Sequence, residues 1–201
     1  MTIKTIAALV LSAGLLAACA AINVPSLAAF FPDGVLPVMR WDARPEAAVW
    51  TTTAMAEVAR HDGELAARVP RDIAVFCPQY VQASLNDRRA FWVGLLSATT
   101  KQESSYNPKA AGGGGRYVGL MQIAPATARR AGCEARSAAA LKDGAANLQC
   151  AVRIMAPNVA ADGVVAGNGG LGVGRDWGPL SSGSKRREIA AWTRAQEYCR
   201  V

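Results

Sequence analysis

The chain has 201 residues, 51% of them hydrophobic, and carries 22 Lys and Arg against 15 Asp and Glu for a formal net charge of +7. That length suits one domain with a real core, plus extras, and abundant alanine, the best helix former, leans the fold towards mainly α. The basic balance favours an anionic partner; nucleic acid fits the sign, but no zinc-finger or RNP motif is present.

Residues 1–18 read as an export signal. Lys4 supplies a positive start, Ile6 to Leu16 form an apolar run, and small residues follow. The run is short of the roughly 20 apolar residues that a membrane span needs. Its loss removes only Lys4 and leaves a charge of +6. Export also argues against nucleic acid as the partner. Residues 19–41, with Pro25, Pro32 and Pro37, read as an irregular, partly docked tether, and the domain is expected over 42–201.

Asp42 to Ala67 predicts a helix, with Asp42 as cap, Pro45 in the first turn, and Val49, Thr53, Ala56 and Arg60 on one face. His61, the single histidine, is expected to face solvent without a catalytic role. Asp72 to Phe76 predicts a short helix that Pro78 ends. Asn86 to Thr100 predicts the next, with Asn86 as cap and Asp87 suited to the positive end of the helix dipole.

Trp92, Leu96, Thr99 and Glu103 follow at steps of four, three and four, so they share a face, widened by Phe91, Leu95 and Ala98. Glu103 therefore ends a stripe that packs inward. Desolvation raises a carboxyl pKa, and a partly neutral Glu can donate a proton. The alternative is a helix-end ion pair with Lys101 or Arg116. On their own terms Ser104 is a helix-end hydroxyl bonded to its own backbone, Met121 a core filler and Gln122 a solvated loop amide.

Asn107-Pro108 predicts a turn that stops the helix, and Gly112 to Gly115 an exposed mobile loop, since consecutive glycines cost entropy to order. A phosphate-binding loop is excluded, because no Gly-Lys-Ser/Thr follows and no strand precedes. Pro125 to Ala131 predicts a short helix closed by Gly132, and Asp143 to Met155 a longer one that Pro157 kinks or ends. Residues 161–183 read as a glycine-rich loop. Ser184 to Cys199 reads as the last helix, with Trp192 in the core rather than as a binding platform.

Five cysteines become four if Cys19 is set aside. An oxidising compartment then favours two disulfides among Cys77, Cys133, Cys150 and Cys199. Three pairings are open; the preferred one joins Cys133 to Cys150 and Cys77 to Cys199. Free buried thiols are the alternative. The cysteine spacing does not resemble a zinc ligand set.

The run from Lys101 to Ala128 resembles the catalytic core of the soluble lytic transglycosylases: Glu103-Ser104, then Asn107-Pro108, then Gly119-Leu120-Met121-Gln122-Ile123, then Pro125-x-Thr127-Ala128. The resemblance implies a lysozyme-like domain of packed helices with a loop-rich glycan groove. It implies Glu103 as the single catalytic acid, Ser104 as the residue that orients it, and Met121 and Gln122 as groove residues on the glycan. Asn147-Leu148 resembles the start of the helix packed behind the site. Many relatives carry Ala-Tyr-Asn-Ala-Gly further on; here Val165-Ala166-Gly167-Asn168-Gly169-Gly170 stands instead. Asn168 can take the Asn place, while the Tyr is absent, with Tyr117, Trp177 or Tyr198 as substitutes.

The implied reaction cleaves the N-acetylmuramic acid-β-1,4-N-acetylglucosamine bond of peptidoglycan and forms a 1,6-anhydro ring, with no cofactor or metal. Its alternatives are a hydrolytic muramidase of the same fold and a non-catalytic wall-binding lipoprotein. Leu16-Ala17-Ala18-Cys19 also resembles a lipobox, which implies an acylated Cys19 and a periplasmic monomer anchored in the outer membrane. Ordinary cleavage at Ala18-Cys19-Ala20 would discard that cysteine.

Overall fold

A computed structural model describes residues 33–181 and 183–200. The export segment, Cys19 and the tether as far as residue 32 lie outside the described residues. Within 33–41 the chain is docked: Met39 and Trp41 are buried, and the Trp41 indole donates to Thr51 Oγ1 at 3.0 Å. The core therefore starts upstream of the expected boundary at 42.

Helix α1 is Ala47–Arg60, shorter than expected because residues 39–46 and 61–67 form turns. Its buried face is Trp50, Ala54 and Val58, at steps of four. The face expected through Val49 is displaced by one residue, and Val49 points to solvent. The short α2 is Ile73–Phe76. Helix α3 is Leu85–Ser104, and its cap is Ser84, not Asn86: Ser84 Oγ accepts from the Asp87 amide at 3.1 Å.

α3 is the axis of the domain. It packs against α1, against the last helix and against a 3-10 turn at Glu197–Cys199. Every residue from Ala90 to Thr100 is buried, so the predicted apolar stripe is one side of a helix enclosed all round. Small residues make this possible. A Cβ on Gly94 would collide with the Tyr198 hydroxyl. The polar groups inside are satisfied: Ser97 and Thr99 donate to backbone carbonyls four or fewer residues back, and the Trp92 indole donates to the Tyr80 hydroxyl at 3.0 Å.

After α3 comes a small antiparallel hairpin, β1 Ala111–Gly112 and β2 Tyr117–Val118, with Ala111 opposite Val118 and Gly112 opposite Tyr117. The glycine run expected as a mobile loop is thus partly strand, with Gly113–Gly115 as its 3-10 turn. Helix α4 is Pro125–Arg130. Helix α5 is Gly144–Asp162, capped by Asp143. Pro157 sits inside α5 without ending it; the helix continues to a left-handed Gly163. The region expected as a loop folds into a 3-10 turn, Gly172–Arg175, and helix α6, Gly178–Ser181, which bury Val173, Trp177 and Leu180. Helix α7 is Gly183–Arg194, so the last helix breaks before Cys199.

Both preferred disulfides are present. Cys77–Cys199 ties the chain's tail to the segment after α2, with Cα atoms 4.8 Å apart, and Cys133–Cys150 joins the turn after α4 to α5 at 5.2 Å. A buried acid, Glu57, fastens α1 to α5. It receives Arg153 at 3.0 Å and Arg60 at 2.5 Å, with His61 at 3.6 Å. His61, expected in solvent, is half-buried because Glu57 and Glu64 flank it.

Candidate active site

Glu103 occupies the last turn of α3, and the backbone turns sharply beyond it. Ser105 (φ 51°) and Tyr106 (φ 63°) are consecutive left-handed residues, and Gln122 (φ 47°) is the third non-glycine of this kind among the described residues. Such strain costs stability and gathers at functional sites. Asn107 then closes the turn, its Oδ1 accepting from the Lys109 amide at 2.9 Å.

Glu103 opens onto a groove of about 520 Å³ lined also by Gln102, Tyr117, Gln122, Asp176, Trp177 and Lys185, with Gly112 and Gly113 on one wall. A second hollow of about 170 Å³ continues past Tyr117, Gln122, Asp176 and Trp177 towards Thr127 and Ile154. The alternative, a helix-end ion pair of Glu103 with Lys101 or Arg116, is not formed among the described residues. Lys101 reaches Glu188 at 3.5 Å instead, alongside Arg40 and Gln102. No hydrogen bond or ion pair holds Glu103 among the described residues. Burial raises its pKa above the ordinary carboxylate value, and the charge of Lys185, in the same groove, works against that rise.

The sequence candidates divide. Gln122 and Tyr117 line the groove; Gln122 is fixed by its Nε2 donating to the Gly119 carbonyl at 2.8 Å. The glycines have a purpose here: a Cβ on Gly112 would meet Gln122, and one on Gly113 would meet the Tyr117 ring. Ser104 makes no hydrogen bond to the acid among the described residues. Its hydroxyl donates to the Thr100 carbonyl at 3.3 Å, and it is not part of the groove wall.

Met121 is a correction as well. Its side chain is wholly buried, and its contribution is backbone: its amide donates to Asn147 Oδ1 at 2.9 Å and its carbonyl accepts the Trp177 indole at 2.8 Å. Asn168 lies elsewhere, held by Arg186 at 2.6 Å beside a separate hollow near Asp72 and Phe76. Of the three substitutes for the absent Tyr, Tyr117 and Trp177 line the groove, whereas Tyr198 is buried, bonds the Val38 carbonyl and borders a different hollow.

Two ionisable groove residues, Asp176 and Lys185, carried no candidate role from the sequence. Asp176 accepts from Asn158 Nδ2 at 2.6 Å, and desolvation raises its pKa. Lys185 stands in the first turn of α7. No motif marks either one; only the folding of 161–183 into turns and helices brings them to Glu103.

The domain is mainly helical and of the lysozyme-like class, with the desolvated Glu103 carboxyl opening onto its groove. The family model "Transglycosylase SLT domain" matches residues 81–189, and the chain belongs to that family. Its members are typically peptidoglycan lytic transglycosylases that bind glycan strands. Among solved structures, "Bd0314 DslA wild-type form 2" is similar at 26% identity and TM-score 0.73, covering 82% of this chain and 99% of its own. A glutamate-to-glutamine mutant of the same DslA is similar at TM-score 0.75 with the same identity and coverage. No match was found among curated proteins.

Proposed function

We propose that the protein is a peptidoglycan lytic transglycosylase in which Glu103 acts first as general acid and then as base. The observation that carries this reading is an unpaired, half-buried carboxyl, its pKa raised by burial, on the wall of a groove large enough for sugar rings.

Glu103 gives its proton to the glycosidic oxygen between N-acetylmuramic acid and N-acetylglucosamine, and the C1–O bond of the muramyl residue breaks. The acetamido carbonyl oxygen of the same residue bonds to C1 and holds the positive charge. The Glu103 carboxylate next takes the proton of the C6 hydroxyl. O6 bonds to C1, the acetamido oxygen leaves, and a 1,6-anhydro ring closes with Glu103 protonated again. The substrate supplies the nucleophile, so no second acid is required. Gln122, Tyr117 and Trp177 would hold the rings.

A hydrolytic muramidase is favoured by one specific observation: Asp176 lines the same groove. Two-carboxylate glycosidases place a second acid across the bond, as nucleophile or as the base for water. Against it, that partner must be ionised, whereas desolvation raises the Asp176 pKa. Mass analysis of muropeptides released by the purified protein separates the two. Anhydro ends support the transglycosylase; reducing ends, heavier by one water, establish the hydrolase and overturn it. For the exported chain we propose periplasmic residence with an acylated Cys19, which mass spectrometry of the membrane fraction tests directly.

A further inference from the structure

Among the described residues, Lys185 is the one cation lining the groove that holds Glu103. It is exposed, and its ammonium makes no hydrogen bond or ion pair among the described residues. Its neighbours Arg186 and Arg187 add to the charge, and the first turn of α7 contains no acid. An ammonium without a protein partner among the described residues, exposed on the groove that holds Glu103, is available to a ligand. The ammonium is also near enough to act on the Glu103 carboxyl.

We propose that Lys185 is a specificity-determining residue that binds a carboxylate carried on the muramyl side of the strand, so that the groove prefers anionic glycan to neutral glycan of the same length. This rests on the reading of the groove as a peptidoglycan site. The chemistry is that of the substrate. N-acetylglucosamine is neutral, whereas the muramyl residue carries a lactyl ether at C3 of the ring whose C1 reacts at Glu103. In strands without peptide the lactyl carboxylate is free; in strands with peptide it is amidated, and the stem supplies carboxylates further out. An exposed ammonium on a flexible four-carbon stem suits such a point charge better than a fixed planar donor does.

The experiment measures binding without turnover, in a Glu103→Gln background, to three soluble oligosaccharides of equal length. One is neutral N-acetylglucosamine only, one has free lactyl carboxylates, and one bears stem peptides. Lys185→Met should lower the preference for carboxylate-bearing over neutral oligosaccharide about two- to fivefold, the scale of a solvated ion pair. Lys185→Glu should lower it further, Lys185→Arg should retain most of it, and the preference of the parent should fall as salt is raised. Loss on the peptide-free strand assigns the contact to the lactyl carboxylate, and loss on the peptide-bearing strand alone assigns it to the stem. An equal change on neutral and anionic oligosaccharides would overturn the proposal. Digestion of the same strands by the otherwise wild-type protein keeps the two readings apart: absence of any cleavage product would defeat the catalytic reading, while the binding ratio still judges Lys185.

Discussion

The Asn147 side chain holds the Met121 backbone. Its Oδ1 accepts from the Met121 amide at 2.9 Å, while its Nδ2 donates to the Val118 and Leu141 carbonyls, each at 3.0 Å. Asn147 is wholly buried, so one amide satisfies three backbone groups of the loop behind the groove. Gly119 is left-handed (φ 83°), and a Cβ there would strike this amide. Removing the amide leaves those groups unpaired. Asn147→Ala is expected to lower stability by about 2–4 kcal/mol and to lower kcat more than it raises KM, because Gln122 follows directly in the chain. Urea denaturation and steady-state digestion of soluble glycan strands check this.

Tyr117 and Gln122 rest on the glycine hairpin, which gives a cleaner test of the groove. Gly112 has an ordinary backbone (φ −99°), so Gly112→Ala adds no backbone strain and acts only by displacing Gln122. It is expected to cost under about 1 kcal/mol of stability and to lower kcat/KM about tenfold or more, the effect of a misplaced positioning group. Tyr117→Ala should raise KM several-fold, and Tyr117→Phe less, if the ring is a surface for sugar. Thermal melts run beside the kinetics separate positioning from unfolding.

Much of this site was legible, and the reasons are local. Glu103 was readable because a helical period carries it to the end of an apolar run, and burial of Trp92, Leu96 and Thr99 bears that out. Gln122 and the two disulfides were also anticipated. What was missed depends on tertiary placement. A methionine inside a groove motif reads as a sugar contact, yet Met121 turns its side chain into the core and offers only its backbone. Asn168 matched a motif position by order along the chain, but it lies beside another hollow, and Asp176, after the 3-10 turn, and Lys185, on α7, line the groove instead. The α3 period predicted one inward face, where neighbours on every side enclose the helix.

Glu57 makes stability depend on pH from two directions. Burial pushes its pKa up, but hydrogen bonds from His61, Arg153 and Arg60 outweigh this and bring it to about 2. A depressed carboxylate contributes stability that is complete above its unfolded value of 4.5 and is lost as pH falls towards 2. That contribution is on the order of 3 kcal/mol. The His61 pKa is raised, first by its hydrogen bond to Glu57. Its contribution is therefore complete below the ordinary value of 6.5 and is lost as pH rises through the higher folded value. Melting temperatures across pH should show the acid loss in wild type and a flattened acid limb in Glu57→Gln. His61→Ala should remove the loss on the alkaline side. An unchanged acid limb in Glu57→Gln would refute the assignment.

The central claim is that Glu103 is the acid, and digestion of purified peptidoglycan by wild type and Glu103→Gln tests it most directly, with released muropeptides quantified by mass. Gln has the same shape and cannot give up a proton, so folding should be retained and turnover should fall about 10²–10⁴-fold. For an acid that must start protonated, the wild-type rate should be full below the raised Glu103 pKa and decline above it, with the alkaline limb displaced upward from 4.5. A folded Glu103→Gln protein that releases muropeptides at the wild-type rate would contradict the account.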